Sequence, residues 1–259
     1  MPKKIIIDKN DINSCIKQGM NSKEICDKLK ISRSVLFKNM KNFSLSFKDY
    51  KYFNINIFDN IDTEEKAYWL GFLYADGYVC GYHNQLEISL KGDDIEHLRK
   101  FKSFLEDKRD ESVIKTSDIK LNGKTFKRCR YIIGDEHFHS ELIKLGCIPN
   151  KSLKLTFPEK SIFSDDKLIV DFIRGYIDGD GCLTNSGKRL RISISGTEKF
   201  LNEIIKIFPE FSKPKKDKRG NVYQIICSHN KADKIAKNLY ENATIYLDRK
   251  YKQFASLVK

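Results

Sequence analysis

The residues best suited to chemistry are two aspartates, Asp76 and Asp180, each followed by glycine and each closing a mostly apolar stretch: YWLGFLYADGYV (68–79) and DFIRGYIDGDGCL (171–183). Both stretches read as helices. Each carries small residues four apart, Gly71 with Ala75 and Gly175 with Gly179. Removing side-chain bulk at that spacing lets two helix backbones approach closely. Gly77 and Gly181 are expected as helix-terminating residues in the left-handed conformation that glycine tolerates. That leaves Asp76 and Asp180 at helix C-termini, where the dipole is already negative. Bringing two carboxylates together there raises the cost further. A divalent cation would neutralise them, and hard oxygen donors favour magnesium, calcium or manganese over zinc. Metal-bound carboxylates beside a phosphate can activate water and stabilise the oxyanions of an in-line displacement. One Asp-Gly pair is merely a turn; two at matched positions are not so easily dismissed.

The matching is set by an internal repeat. Shifting the chain by 104 residues superposes Gly71 on Gly175, Asp76-Gly77 on Asp180-Gly181, and Leu86, Ile88, Ser89 and Gly92 on Leu190, Ile192, Ser193 and Gly196. Lys102 and Phe104 fall on Lys206 and Phe208. Both copies run helix, hairpin strands, amphipathic helix, further strands, final helix. A single such repeat implies duplication and pseudo-twofold symmetry rather than a solenoid.

The strings WLGFLYADG (69–77) and IRGYIDGDG (173–181) resemble the motif of the LAGLIDADG homing endonucleases, in the single-chain form with two motifs. The resemblance spans residues 63–259. It implies an α+β fold of two pseudo-symmetric αββαββα repeats (about 63–160 and 161–259) forming a DNA-binding saddle. It also implies metal binding by Asp76 and Asp180 with the backbone carbonyls of Ala75 and Gly179, the metal being Mg2+, with Mn2+ or Ca2+ able to occupy the same sites. Positive charge is needed near the scissile phosphate. The family's lysines correspond to Lys151 in PNKSLKLTFP (149–158) and Lys250 in YLDRKYKQF (246–254). Lys91, ending the strand LEISLK, is a third catalytic candidate, and its repeat partner is Ser195. The chain departs from the motif at Trp69-Leu70 and Ile173-Arg174, which stand in place of Leu-Ala, and at Tyr74, which stands in place of the earlier acid. Asp178 is assigned to structure rather than metal.

Composition agrees with an anionic partner. The 259 residues carry 48 Lys and Arg against 35 Asp and Glu, a net charge of +13, with 12% aromatic residues. Strand alternation sorts the faces. Leu86, Ile88 and Leu90 turn inward, while Glu87, Ser89 and Lys91 turn outward. Leu190, Ile192 and Ile194 turn inward, while Arg191, Ser193 and Ser195 turn outward. Arg128 and Arg130 share an outward face, and Gln224 lies opposite Tyr223 and Ile225. With Lys188 and Arg189, these side chains are expected to line a DNA major groove. SKPKKDKRGN (212–221) reads as a phosphate-contacting loop through Lys213, Lys215, Lys216, Lys218 and Arg219.

Residues 11–42 read as short helices. NSKEICDKLKISRSVLFKNMK resembles a helix-turn-helix, with Asn21 and Glu24 as a capping pair. Ser32 caps a third helix that presents Arg33, Ser34, Phe37, Lys38 and Lys41 outward. Residues 1–50 hold 11 basic and 5 acidic side chains. The expected division is a small all-α helix-turn-helix domain (1–45), an aromatic, extended connector (46–62) that packs or tracks along a surface, and the repeated domain (63–259).

Seven scattered cysteines without a C-x-x-C pair argue against a disulfide framework or zinc ribbon. No apolar run suits a membrane span or signal peptide, so an intracellular protein is expected. No histidine is assigned to chemistry. The expected function is a metal-dependent homing endonuclease that makes double-strand breaks in a long DNA site, acting as a monomer because the repeat is internal. The alternatives are an RNA maturase binding intron RNA on the same scaffold, or a non-catalytic DNA-binding regulator, which would have lost the acids. An intein is not expected, since the chain starts with Met1 and lacks a His-Asn ending.

Overall fold

The computed structural model describes residues 7–47, 51–121, 123–186, 189–217, 220 and 222–256. Lys188, Lys218 and Arg219 lie outside them. The chain divides into two compact units, residues 1–55 with 102–113, and residues 56–101 with 114–259. The boundary therefore falls inside the expected connector, and a segment assigned by sequence to the first repeat belongs to the first unit.

In the first unit, α1 (Lys9–Lys17), α2 (Ser22–Leu29) and α3 (Arg33–Asn42) enclose Ile12, Cys15, Ile16, Ile25, Leu36 and Met40. The Asn21–Glu24 capping box is present, and the Ser32 hydroxyl accepts from the Val35 amide. Segments 51–55 and 102–113 join through the Asn54 amide to the Leu105 carbonyl and the Lys108 amide to the Tyr52 carbonyl, both 2.9 Å. The Arg109 guanidinium lies 4.0 Å over the Tyr52 ring and forks onto Asp107. Gly19 is required twice over: its φ is +75°, and a Cβ would come 2.5 Å from Arg109 Cγ.

The second unit contains the two repeats. The first runs α4 (Glu64–Asp76), β1 (Gly77–Val79), β2 (Gln85–Lys91), α5 (Ile95–Phe104), β3 (Ile114–Leu121), β4 (Lys124–Gly134) and α6 (Glu136–Lys144), with the division between units falling within α5. The second runs α7 (Lys167–Asp180), β5 (Gly181–Ser186), β6 (Arg189–Gly196), α8 (Glu198–Ile207), β7 (Lys215–Lys216), β8 (Tyr223–Ser228) and α9 (Asn230–Tyr240), followed by α10 (Asp248–Ala255). Each copy is αββαββα. The antiparallel sheets have equivalent orders, β1-β2-β4-β3 and β5-β6-β8-β7. Lys215 and Lys216, expected in a loop, instead form the edge strand β7 on β8.

The inner sheet faces are apolar. Leu86, Ile88, Cys129, Tyr131 and Ile133 are buried in one, and Leu190, Ile192, Ile194, Ile225 and Cys227 in the other. The hairpins differ in register. Gly77 pairs with Ile88, whereas Gly181 pairs with Ile194, two residues further along than the 104-residue shift predicts. Because side chains alternate with period two, this slip preserves which face is buried.

Gly77 and Gly181 correct the sequence reading. Their φ values are −73° and −78°, in extended rather than left-handed backbone. Glycine is required there for space: a Cβ would lie 2.7 Å from the Leu73 carbonyl oxygen at Gly77 and 2.5 Å from that of Ile177 at Gly181. Among the described residues, no helix is long and apolar enough to cross a membrane.

Candidate active site

Among the described residues, α4 and α7 make the most extensive contact between any two elements. Their glycines set it reciprocally. A Cβ on Gly71 would overlap the Phe172 carbonyl and crowd the Tyr176 amide; one on Gly175 would overlap the Tyr68 carbonyl and crowd the Phe72 amide. Phe172 and Tyr176 are the repeat partners of Tyr68 and Phe72, so the seam lies on the pseudo-twofold axis. Further along, a Cβ on Gly179 would collide with Ala75 Cβ and lie 3.3 Å from Asp76 Oδ2. The small residues thus bring both helix C-termini, and both motif aspartates, to one place.

That place is electrostatically strained. Burial and the Asp180 charge raise the Asp76 carboxyl to about 6, against the opposing pull of Lys250, Lys151 and Arg249. Asp180 presents more surface, yet loss of solvent around its carboxyl raises it too, with Lys151, Lys250 and the Tyr176 hydroxyl opposing.

The two lysines answer the helix ends directly. Lys250, on α10, is 3% exposed, and its Nζ donates to the carbonyls of Ile177 (2.5 Å), Asp178 (2.6 Å), Gly181 (2.6 Å) and Gly179 (3.3 Å). Four acceptors share three ammonium protons. Lys151, in a short 3-10 turn (Lys151–Leu153), donates to the Gly77 carbonyl. Cations at helix C-termini satisfy orphan carbonyls and oppose the negative dipole. Burial pulls the Lys250 ammonium down to about 8, and it lowers Lys151 as well.

Asp178 explains how α10 is held. It is fully buried and accepts from Tyr240 Oη (2.6 Å), Tyr68 Oη (2.7 Å) and the Leu247 amide (2.7 Å), tying α7 to α9, α4 and the residue before α10. Arg174, another departure from the motif, pins the same region. It donates to the Ile245 and Leu239 carbonyls (3.0 and 3.1 Å) and pairs with Glu64 (2.6 Å) and Asp171 (2.7 Å). The sequence did not reveal Arg249, which acts on Asp76 and bonds Asp94 at 2.9 Å. Its only sequence signal is adjacency to Lys250.

Lys91 is not brought to this cluster. It ends β2 beside a groove of about 440 Å³ lined also by Ser89, Ile119, Phe126 and Arg128, and it is not among the cations acting on Asp76. Register also revises its pairing. The outward residue one step past the motif pair is Ser89 in the first copy and Ser195 in the second. Glu87, Ser89 and Lys91 share the outward sheet face with Arg128 and Arg130, and Arg130 lies 3.6 Å from Glu87. On the other sheet, Arg189, Arg191, Ser193, Ser195, Gln224 and Lys215 share one face; Lys216 falls on the opposite one, and Lys213 precedes β7, exposed. In the first unit, Ser32, Arg33, Ser34, Lys38 and Lys41 are exposed on or beside α3. The histidines have local roles: His137 bonds Asp59 (2.7 Å), His139 the Cys80 carbonyl (2.9 Å), and His97 is buried on Tyr68 (3.1 Å).

Among the described residues, no three His, Cys, Asp or Glu side chains cluster as a metal cage. The donors at the seam are two carboxylates and the main-chain carbonyls of two helix ends. This all-oxygen set fits a hard divalent cation and not zinc. The Gly179 carbonyl, with two lone pairs, keeps an acceptor position beside its long bond to Lys250.

Two αββαββα repeats meeting along paired helices with acidic ends define the fold of the LAGLIDADG homing endonucleases, and the chain has that fold. The homing endonuclease I-WcaI bound to its DNA recognition sequence matches with a TM-score of 0.55 and 14% identity, covering 90% of this chain and 97% of that one. The LAGLIDADG meganuclease I-AabMI bound to uncleaved DNA matches with a TM-score of 0.47 and 14% identity, covering 73% and 88%. I-SmaMI bound to an uncleaved DNA target in the presence of calcium ions gives 0.36 and 13%, covering 73% and 84%. No protein-family model and no curated protein sequence matches the chain. At 14% identity the likeness to I-WcaI is one of fold.

Proposed function

We propose that the protein is a site-specific DNA endonuclease that cuts both strands of a long duplex target with the help of a divalent cation, Mg2+ in the first instance. The observation that carries this reading is the meeting of Asp76 and Asp180 across a glycine seam, with Lys250 and Lys151 at the same helix ends. The I-WcaI structure, of the same fold and with DNA bound, supports duplex DNA as the partner.

Asp76 and Asp180, with the Ala75 and Gly179 carbonyls, would hold the cation; once bound, it supplies charge stabilisation at a phosphodiester and acidifies a water. Lys250 and Lys151 fix the carbonyls of the helix ends and set positive charge beside the phosphates. The outward faces of both sheets, carrying Arg128, Arg130, Arg189, Arg191, Ser193, Ser195 and Gln224, would read the duplex. The internal repeat gives one chain two sheets, one for each DNA half-site, which supports action as a monomer.

Incubation with a randomised DNA library, with magnesium or with a chelator, tests the reading. Sequenced ends should cluster at one long site only when metal is present. Asp76→Asn and Asp180→Asn should each abolish double-strand cutting while DNA affinity stays within about threefold, a change below 1 kcal/mol. Undiminished cutting by either variant would overturn the assignment.

A further inference from the structure

The first unit has chemistry that the seam does not use. We propose that α3 is a second, separable reader of duplex DNA, entering a major groove with Ser34, Phe37, Lys38 and Lys41. This rests on the reading of duplex DNA as the partner.

The helix is built to present one face. Leu36 and Met40 anchor it in the small core. Residues 34, 37, 38 and 41 recur at i, i+3, i+4 and i+7, so they form a single stripe. All four are exposed. The link from α2 is short and shaped: Lys30 adopts φ 54°, and the Ile31 amide returns to the Cys26 carbonyl at 3.0 Å. Ser32 then caps α3. An α-helix is about 10–12 Å across with its side chains, which suits a groove about 12 Å wide.

The face also selects its partner. α3 carries Arg33, Lys38 and Lys41 and no acid. The described acids of the three-helix bundle, Asp8, Asp11, Glu24 and Asp27, lie on or beside α1 and α2. Phe37 is 48% exposed and Val35 38%, an apolar pair among lysines. A phosphate-lined groove with thymine methyl groups on its floor matches both features, since lysines meet phosphates and apolar side chains meet the methyl. Arg33 has a different task. Its guanidinium donates to Ser22 Oγ at 2.9 and 3.3 Å, locking the start of α3 to the start of α2. It positions the helix rather than reading bases.

The full chain should be used to select from a long randomised duplex in the presence of a chelator, so that cutting plays no part. The wild type should recover two sequence blocks. Lys38→Glu/Lys41→Glu should recover only one, bind at least tenfold more weakly at physiological salt, and show a salt slope reduced by about 2. Phe37→Ala should keep both blocks but lose discrimination between thymine and uracil in the α3 block. These side chains are exposed, so thermal melting should not change. Identical motifs and salt slopes for wild type and the double variant would overturn the inference. An α3-dependent block without any metal-dependent cutting would sustain it while sinking the endonuclease reading. Cutting with an α3-independent motif would do the reverse.

Discussion

Asp178 and Tyr74 occupy the same repeat position and do different work. Tyr74 donates to the Leu145 carbonyl at 2.5 Å, whereas Asp178 collects three donors and thereby holds the residue before α10. The chain of donors continues to His97. The Tyr68 phenol gives its one proton to Asp178, so its oxygen accepts from His97 Nε2–H, and Nδ1 is left buried without a partner among the described residues. Burial, with Lys100, Arg249 and Lys250 adding to it, lowers His97 to about 3. Its ordinary value is near 6.5, so the unfolded chain binds the extra proton between these limits. The neutral ring's contribution is complete above about 6.5 and lost as pH falls towards 3. Between pH 6 and 4, wild type should therefore lose about 1.4 kcal/mol per pH unit more than His97→Leu. Parallel denaturation curves for the two would refute the buried neutral ring. Very little of this was visible in the sequence. The acids stood out by their repeat, and the lysines by resemblance. The route from Asp178 through Leu247 to Lys250 spans about seventy residues and exists only once the chain is folded.

At the scale of elements, the α4–α7 seam was legible because its cause is local: small residues four apart on an apolar helix. Gly175→Ala would drive a Cβ into main-chain atoms of Tyr68 and Phe72, which cannot yield as a side chain can. It should cost about 3 kcal/mol or more in chemical denaturation. Gly81→Ala is the control. Its Cβ would meet only the Pro149 ring at 3.6 Å, so stability should hold within about 0.5 kcal/mol. Equal effects would show that the seam has slack. The glycines after the aspartates were found for the wrong reason, because sequence distinguishes a glycine needed for space from one needed for φ only when the neighbours are known. The two-residue slip between hairpins was invisible for a related reason: it leaves the alternation of buried and outward residues unchanged.

At the scale of the whole molecule, the 104-residue shift foretold two copies of one order of elements, and each copy forms its own four-stranded sheet. The division into units was less legible, since residues 102–113 join the first unit through long-range bonds such as that between Asn54 and Leu105. The seam also records a history. A single internal repeat implies duplication, and an ancestor of that kind would have paired with its own copy. Either half would now do so at a cost in the seam. A chain carrying the first repeat twice would set Ala75 against Ala75, where the present seam admits a methyl from one side only. A chain carrying the second repeat twice would present Phe172 where Asp178 now finds the Tyr68 hydroxyl, stripping each buried carboxylate of one donor at about 1–3 kcal/mol. Ala75→Gly should relieve the first of these doubled chains and Phe172→Tyr the second, each measured as recovered melting temperature. As the seam stands, each half fits the other better than it would fit a copy of itself.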